Sequence, residues 1–335
     1  MARVLVTGGA GYIGTHTVRA LGIAGYDVTV LDDLSAGHRT LLPPKTDLHV
    51  VDLTDEAATS QAVAATRPQA VVHFAGAIEA GLSMIDPARF YRSNVIGSFH
   101  LAQSLRENGN PPVVYSSSAA VYGDPDTVPI PEGAPKRPTS VYGRTKLDTE
   151  GLFAAFNTAY GLRATALRYF NAAGAAADTS LGEAHRVETH LVPVALAAAS
   201  ARSTMNLYGT DYPTPDGTCI RDYVHVEDLA TAHVLALAAL LDGAPGEPYN
   251  VGVGSGFSNR EVLAAVERVT GRRLEVVEAA RRPGDPAELV ADPARITSAL
   301  GWRPRWTDLD QIVASAAAWH ANQGPTANAA ASKKP

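Results

Sequence analysis

The chain has 335 residues, of which 46% are hydrophobic and 19% are charged, and its net charge is −6. This composition is typical of a globular protein with one large and one smaller domain. The negative charge argues against a surface that binds nucleic acid or an acidic membrane. No apolar run approaches the roughly eighteen residues needed to cross a bilayer. A single cysteine, Cys219, excludes an internal disulfide and a thiolate metal cluster, and we expect a cytoplasmic protein.

The first half of the chain alternates short β-branched runs with helical periodicity, which is typical of a parallel sheet covered on both faces. We predict strands at 3–7, 27–31, 48–51, 70–73, 112–116 and 163–168. We predict helices at 12–24, 55–65, 87–108 and 140–160. The fold class is therefore α/β, a doubly wound Rossmann-type sheet, in a domain of residues 1–170.

The regular alternation of predicted strands and helices ends at about residue 171. Beyond it, loops rich in Gly, Pro and Asp separate helices near 190–201, 225–241 and 259–270. We expect residues 171–322 to form mainly a smaller C-terminal α/β lobe, with some segments returning to the first domain. Trp302 and Trp306 are predicted to close the core of this lobe. The Ala-, Ser-, Lys- and Pro-rich residues 323–335 are predicted to be a disordered tail.

A glycine-rich turn joins the first strand to the first helix. Glycines there permit a tight turn and a close approach to a pyrophosphate, and the helix N-terminus provides free N–H groups. Asp32 ends the second strand, where its carboxylate can accept from both hydroxyls of an adenosine ribose and repels a 2′-phosphate. The sequence therefore predicts an NAD site, with His38 and Arg39 nearby. Its predicted first residues are Gly8, Gly11, Tyr12, Ile13 and Gly14.

Tyr142 and Lys146 are four residues apart in a predicted amphipathic helix, so they share one face. The chain has few lysines, and Lys146 is the one predicted within such a helix. A tyrosine with a pKa of ~10 is a poor base, but a nearby cation could lower that pKa by roughly 1–3. Ser116 and Ser118 follow the fifth strand at the carboxyl edge, where ligands bind in such sheets. We predict Tyr142, Lys146 and Ser118 as catalytic residues.

With these elements in this order, the chain resembles the UDP-glucose 4-epimerases of the extended short-chain dehydrogenase/reductase superfamily. The resemblance covers about residues 3–320, and its later segments are the most specific to this family. The matching segments are VTGGAGYIG (6–14), HFAG (73–76), SSSAAVYGD (116–124), SVYGRTK (140–146), LRYFNAAG (167–174), YGTDYPTPDGTCIRDYVHV (208–226) and RRPGD (281–285).

The resemblance implies interconversion of UDP-galactose and UDP-glucose through a transient 4-keto sugar, with tightly bound NAD. Tyr142 would remove the proton of the sugar 4-hydroxyl, Ser118 would share it, and Lys146 would hold the nicotinamide ribose and depress the tyrosine pKa. The resemblance also implies a homodimer built on helices 87–108 and 140–160. Further implied cofactor contacts are Asp52, Leu53, Phe74, Ala75, Gly76, Asn94, Ser116 and Phe170. Implied substrate contacts are Asn171, His190, Leu191, Asn206, Tyr208, Arg221, Arg282 and Asp285.

The chain departs from the pattern of the family in three respects. Glu79 stands where many members carry a lysine, and Thr189 and His190 replace asparagines of the nucleotide pocket. Leu289 stands where some members place a tyrosine that limits the size of the sugar. Leucine at this position would open the pocket to an N-acetylhexosamine. A 4-epimerase for a pentose or uronic acid on UDP would use the same residues and is a further alternative.

Two other classes are less well supported by the residues. Related dehydratases and decarboxylases carry acidic residues where this chain has Ala119 and Ala120, so their extra proton transfer has no acid–base group here. A non-catalytic redox sensor that binds dinucleotide need not keep Ser118, Tyr142 and Lys146 together. His185 and His190 flank Glu188 in a loop-like stretch, where we do not predict a metal site.

Overall fold

The computed structural model describes residues 1–282 and 284–322, so the tail prediction for residues 323–335 lies outside the described residues. The strands, numbered in chain order, are β1 Arg3–Thr7, β2 Asp27–Asp32, β3 Asp47–Val50, β4 Ala70–His73, β5 Val113–Ser118, β6 Ala164–Tyr169, β7 Asn171–Ala173, β8 Thr204–Tyr208, β9 Ile220–Arg221, β10 Tyr223–His225, β11 Tyr249–Val251, β12 Phe257–Ser258, β13 Glu275–Ala279 and β14 Glu288–Leu289.

The helices are α1 Tyr12–Ile23, α2 Glu56–Thr66, α3 Ala80–Ser83, α4 Pro87–Phe90, α5 Gly97–Glu107, α6 Val141–Tyr160, α7 Leu191–Ala201, α8 Val226–Leu241, α9 Asn259–Thr270, α10 Ala294–Leu300 and α11 Leu309–Asn322. Within the described ranges, no helix combines the length and the apolar character that crossing a bilayer requires.

The central sheet has seven parallel strands in the order β3-β2-β1-β4-β5-β6-β11 among the described residues. The order reverses direction between β1 and β4, which makes the carboxyl ends of these strands the expected place for a ligand. This arrangement confirms the predicted doubly wound α/β fold. Strand β11, which lies beyond residue 171, pairs with β6 in this sheet.

Two hydrophobic clusters cover the faces of this sheet. Val4 and Val6 point to one face, where α1 and α8 pack, while Leu5 between them points to the other face, towards α2, α5 and α6. This alternation follows from the two-residue repeat of a strand. The sheet is thus held rigidly between two helical layers, and its carboxyl edge carries the loops described below.

A third cluster is the core of the smaller lobe, where α7, α9 and α11 pack together beside β8. Trp306 packs against this cluster, as predicted. Trp302 does not, and that prediction is wrong. Its ring is buried in the cluster with Val4 and Val6, and its indole nitrogen donates to the carbonyl oxygen of Asp228 at 2.9 Å. Its position follows from α10, which packs beside β11.

The predicted helix at 87–108 is present in three consecutive parts. Between α4 and α5 the backbone forms a π-helical segment, Tyr91–Ile96. Such segments are rare and often occur at functional sites. Here the segment contains Asn94, whose buried side chain binds a loop at the edge of the sheet, so the irregularity lies beside the candidate site.

Candidate functional site

The glycine turn after β1 is too tightly packed for side chains at two positions. A Cβ on Gly8, whose φ is +68°, would lie 2.5 Å from the nitrogen of Ala75. A Cβ on Gly14 would lie 2.3 Å from the carbonyl oxygen of Gly8. The turn therefore lies directly against the loop after β4 and against the first turn of α1, as a pyrophosphate-binding turn requires.

The N-terminus of α1 is open to a ligand. Gly11 is its N-cap residue, and no side chain in the described part of the chain caps it. The first N–H groups and the helix dipole therefore remain available for an anion. Tyr12 and Ile13 follow directly, so the predicted residues of this turn lie together.

Asp32 lies at the end of β2, beside this turn, and is 8% exposed. Its Oδ2 accepts from the backbone N–H of Ala10 at 2.9 Å, and its Oδ1 accepts from that of Leu34 at 2.8 Å. Burial raises the pKa of this carboxyl, and the two N–H groups partly offset the rise. Each carboxylate oxygen retains a lone pair that can accept from a ribose hydroxyl. The residues present therefore fit a dinucleotide with an unmodified ribose.

The loop after β4 forms the next part of the edge. Phe74 and Ala75 donate their backbone N–H groups to the carbonyl oxygen of Thr7, at 2.9 and 3.1 Å. Gly76 follows, and Asn94 then binds Ala77 through both ends of its amide, at 2.7 and 3.1 Å. The side-chain nitrogen of Asn94 also donates to Thr145 in α6. Asn94 thus fixes this loop to α6, in addition to any role towards the cofactor.

Asp52 and Leu53 lie in the loop after β3. The Oδ1 of Asp52 accepts from the backbone N–H of Thr54 at 2.8 Å, and the carbonyl oxygen of Leu53 binds Nδ1 of His100 at 3.0 Å. Leu53 is buried against Gly97 at the start of α5. Both residues therefore lie on the side of the sheet edge where β2 and β3 end.

Helix α6 places its predicted catalytic residues against the end of β5. Lys146 is buried, and its Nζ donates to the carbonyl oxygen of Ser116 at 2.8 Å. The same nitrogen lies 5.8 Å from the centre of the Tyr142 ring. Ser118 ends β5, and its hydroxyl interacts with Tyr142. The three predicted catalytic residues are therefore brought together at the carboxyl edge.

The predicted lowering of the Tyr142 pKa is wrong for the protein alone. Burial raises this pKa, and the Ser118 hydroxyl lowers it only in part. Burial is the larger effect on the phenol, and the ammonium of Lys146 donates to the Ser116 carbonyl. Burial also lowers the pKa of Lys146 to about 8, although Glu150 opposes this. A phenolate at Tyr142 therefore requires a further positive charge.

A buried network that was not predicted from the sequence lies behind these residues. Glu150 accepts from the Ser117 hydroxyl at 2.5 Å and binds Arg168 through both carboxylate oxygens, at 2.8 and 2.5 Å. Arg168 also donates to the Tyr122 hydroxyl at 3.0 Å. A signal for Glu150 was present, because it stands four residues after Lys146 and continues the same face of α6. Ser116 has a similar partner, since its hydroxyl binds that of Tyr169.

On the side of the smaller lobe, three predicted substrate residues meet at the end of β8. The guanidinium of Arg282 stacks over the ring of Tyr208, 4.3 Å from its centre. The side-chain nitrogen of Asn206 lies 3.3 Å from the Tyr208 hydroxyl. The cluster presents a cation and polar groups at its surface, which suits an anionic nucleotide.

Arg221 and Asp285 form an ion pair, which the sequence analysis had not predicted. Arg221 is 7% exposed, and its guanidinium also donates to the carbonyl oxygens of Ile220 and Pro286, at 2.7 Å each. Its terminal nitrogens are therefore occupied within the protein. Phe170 and Asn171 lie between the two lobes: Phe170 donates to the carbonyl of Val251 in the large sheet, and Asn171 begins β7.

His190 is the N-cap residue of α7, and Leu191 begins that helix. The Nδ1 of His190 binds Glu183, and His185 and Glu188 complete a compact group. Potential ligand atoms of these four residues lie within 4.8 Å of one another, so they could hold a metal ion, although we predicted none. In this structure the two imidazoles pair with the two carboxylates; burial lowers the pKa of each imidazole, but the carboxylates more than offset this and raise it.

Comparison with known proteins agrees with this geometry. The sequence profile of the NAD dependent epimerase/dehydratase family matches residues 4–252. A UDP-glucose 4-epimerase of Azospirillum brasilense is 47% identical over 318 residues, which cover 95% of this chain and 91% of the relative. The UDP-glucose 4-epimerase of Brucella ovis, solved in complex with NAD, is 46% identical with a TM-score of 0.91, covering 95% of this chain and 98% of that one.

A further similar structure is the UDP-glucose 4-epimerase of Bifidobacterium longum in complex with NAD+ and UDP. It is 34% identical, has a TM-score of 0.91, and covers 96% of this chain and 98% of that one. The similarity thus extends over both lobes at nearly full length. This chain belongs to the NAD dependent epimerase/dehydratase family, and it is similar along almost its whole length to UDP-glucose 4-epimerases.

Proposed function

We infer that this chain interconverts UDP-galactose and UDP-glucose through a transient 4-keto sugar, with NAD retained. The observation that carries this inference is the meeting of Tyr142, Lys146 and Ser118 at the carboxyl end of β5, on the same sheet edge as the glycine turn. Relatives named UDP-glucose 4-epimerase match 95% of the chain. The reaction has no net oxidation, so it needs no other redox partner.

Each catalytic residue has a role that its position supports. Tyr142 takes the proton of the sugar 4-hydroxyl as the hydrogen on C4 leaves, and it returns the proton when the keto group is reduced. Ser118 hydrogen-bonds the same oxygen and shares its proton. Lys146, fixed by the Ser116 carbonyl, holds the nicotinamide ribose and keeps a positive charge beside the phenol.

The cofactor would be held by the turn from Gly8 to Gly14, by Asp32 and by the loop from Phe74 to Gly76. When bound, NAD accepts hydride from C4 and returns it, and its oxidised ring supplies the additional positive charge that a phenolate at Tyr142 requires. Asp52, Leu53, Asn94, Ser116 and Phe170 complete the proposed cofactor contacts.

The UDP group would bind across the smaller lobe. Arg282, stacked on Tyr208, presents its guanidinium to the diphosphate, and Asn206 lies beside them. We assign Asp285 to the uridine ribose, with Arg221 paired to it; this changes the sequence-based role of Arg221 from a direct clamp to a group that orients Asp285. His190, Leu191 and Asn171 complete the proposed pocket. Glu79 lies 3.7 Å from Arg89, to which it is paired.

A second candidate substrate is a UDP-N-acetylhexosamine, which the identity of Leu289 favours. Leu289 is buried in a cluster with Tyr122 and Phe170, beside the proposed sugar site, and it is smaller than a tyrosine. Turnover of UDP-N-acetylgalactosamine at a thousandth of the UDP-galactose rate or less would dismiss this candidate. UDP-pentoses and UDP-uronic acids are tested as substrates in the same assay, by comparing their turnover with that of UDP-galactose.

We also propose a homodimer, formed through the helices between residues 87 and 160. Large apolar side chains are exposed on this surface: Tyr91, Ile96, Phe99 and Tyr160, each between 40% and 46% exposed. Exposed apolar surfaces of this kind are typical of interfaces. Sedimentation of the purified protein as a monomer would reject the proposal. A cytoplasmic location stays a prediction from the sequence.

The function is tested by incubating the purified protein with UDP-galactose without added NAD and stopping the reaction. UDP-glucose is then measured separately with a UDP-glucose dehydrogenase that is supplied with its own NAD. We expect conversion to an equilibrium mixture. No conversion, even after NAD is added, would reject the glucose/galactose assignment.

A further inference from the structure

The segment of residues 174–190 runs from the smaller lobe across both walls of the proposed cofactor site. One wall is the glycine turn with the start of α1, and the other is the loop that follows Asp32. The Tyr12 hydroxyl, on the first wall, donates to the carbonyl oxygen of Gly174 at 2.6 Å. The segment then reaches the second wall ten residues later.

Two hydrogen bonds join the segment to the second wall. Nε2 of His38 lies 2.6 Å from the carbonyl oxygen of Ala184, and since a carbonyl can only accept, this nitrogen donates. The guanidinium of Arg186 donates to the carbonyl oxygen of Leu34 at 3.3 Å. Asp32, which is predicted to bind the adenosine ribose, lies beside this wall. It accepts from the backbone N–H of Ala10, and the carbonyl oxygen of Ala10 accepts from the N–H of His38 at 2.9 Å. The segment therefore spans the adenosine end of the site.

The shape of the segment depends on Glu183. This carboxylate is 6% exposed, and its Oε1 binds Nδ1 of His190 and also Nδ1 of His185, the latter at 3.1 Å. Glu188 adds a contact to His185 at 3.4 Å and accepts from the N–H groups of Thr189 and His190, both at 2.8 Å. Glu183 is thus the central residue of an ion-pair cluster, formed with His185, Glu188 and His190, that holds the end of the segment together.

The outer side of the segment is anchored to two helices. The guanidinium of Arg19 in α1 binds Asp178 through both terminal nitrogens, at 3.1 and 2.7 Å. The indole nitrogen of Trp319 in α11 donates to the carbonyl oxygen of Glu183 at 3.1 Å. Anchors on both sides leave the two bonds to the loop after Asp32 as the contacts that must open if a cofactor is to leave at this end.

We propose that the segment 174–190 is a strap that retains NAD by closing over its adenosine end, with His38 and Glu183 as the positioning residues. This inference rests on the proposed function, because it takes NAD as the bound cofactor. It assigns the strap no part in the chemistry at C4. It predicts that loosening the strap speeds cofactor exchange without removing catalytic groups.

The test measures exchange of bound NAD against excess deuterated NAD in the purified holoprotein, by mass spectrometry of the cofactor after desalting. We expect at least tenfold faster exchange in His38→Ala. His38→Gln retains a side-chain N–H donor, and we expect its exchange to stay within threefold of the parent protein. Turnover of His38→Ala with saturating free NAD should stay within twofold. Exchange in His38→Ala within twofold of the parent would overturn the proposal.

Glu183→Gln tests the ion-pair cluster, and Glu278→Gln is the matched control because it breaks an exposed pair with Arg260 in the smaller lobe. We expect faster exchange in Glu183→Gln and no change in the control. If the purified parent protein contains one equivalent of divalent metal and Glu183→Gln does not, these residues bind a metal and the ion-pair cluster is rejected. If the parent protein epimerises UDP-galactose and neither strap variant changes the rate of NAD exchange, the strap alone is rejected. If the parent protein binds no NAD, the proposed function is rejected as well.

Discussion

The ammonium nitrogen of Lys146 donates to the main-chain carbonyl oxygen of Ser116 at 2.8 Å, which ties α6 to the end of β5. Because Lys146 is buried, this bond is shielded from water and fixes the direction of the ammonium. Tyr142, one turn earlier, is thereby positioned over the strand end that carries Ser118. The bond explains how a helix and a strand bring the proposed catalytic residues together.

Replacing Tyr142 with phenylalanine should lower turnover of UDP-galactose by about 10²–10⁴-fold, because the ring keeps its shape but loses the proton acceptor. We expect the variant to retain its NAD, measured by the absorbance spectrum of the purified protein. Tyr26→Phe, in the connection between α1 and β2, serves as control and should keep full turnover. Unchanged biological function of an inactive Tyr142→Phe protein would instead favour a redox sensor.

The pKa of Tyr142 should be higher with NADH bound than with NAD bound. Burial already raises this pKa, and the positive nicotinamide ring favours the phenolate, so its loss on reduction removes the stabilising charge. We expect a difference of at least about one pH unit. Ultraviolet titration of both forms, with Tyr142→Phe subtracted, measures it. Identical titration curves would contradict this electrostatic account.

Replacing Arg282 with alanine should raise the KM for UDP-galactose by roughly tenfold or more, with a smaller effect on kcat. The reason is that a charge-assisted hydrogen bond to a phosphate contributes about 1.5–3 kcal/mol. The neighbouring Arg281 is the control, because its guanidinium is paired with Asp211 at 2.7 Å. Equal effects of the two substitutions would show that Arg282 is only one of several surface charges.

Sequence alone predicted the fold, and it singled out the candidate catalytic residues that the structure places close together, because both depend on local patterns. The strands at 3–7 and 70–73 and the end of α6 at Tyr160 match their predicted bounds, since β-branched runs and helical periodicity are read within a few residues. The fixed spacing of Tyr142 and Lys146 identified a shared helix face in the same way.

Contacts between distant segments could not be predicted. Three features depend on how distant segments pack against each other: the cluster that buries Trp302, the pairing of Arg221 with Asp285, and the ion-pair cluster around Glu183. The direction of the Tyr142 pKa also depended on burial, which outweighs the hydrogen bond from Ser118. Neither these contacts nor the burial of Tyr142 can be read from the spacing of residues along the chain.

Stability should fall as the pH is lowered from 6.5 towards 5, partly because of His233. Burial lowers the pKa of His233 to about 4, whereas an unfolded imidazole titrates near ~6.5. Between these values the unfolded chain binds more protons, so each pH unit costs about 1.4 kcal/mol. His233→Leu should reduce this slope in urea unfolding at pH 5 and pH 6.5. An unchanged slope would contradict the burial of a neutral imidazole.

The central claim is that the hydrogen on C4 leaves and returns to the same carbon without exchange, while Tyr142 handles the hydroxyl proton. The direct measurement uses UDP-galactose with deuterium at C4, incubated with the purified holoprotein in ordinary water. The account predicts UDP-glucose that keeps its deuterium at C4. Loss of the deuterium to solvent would contradict it, because C4 would then have exchanged its hydrogen with water as a proton.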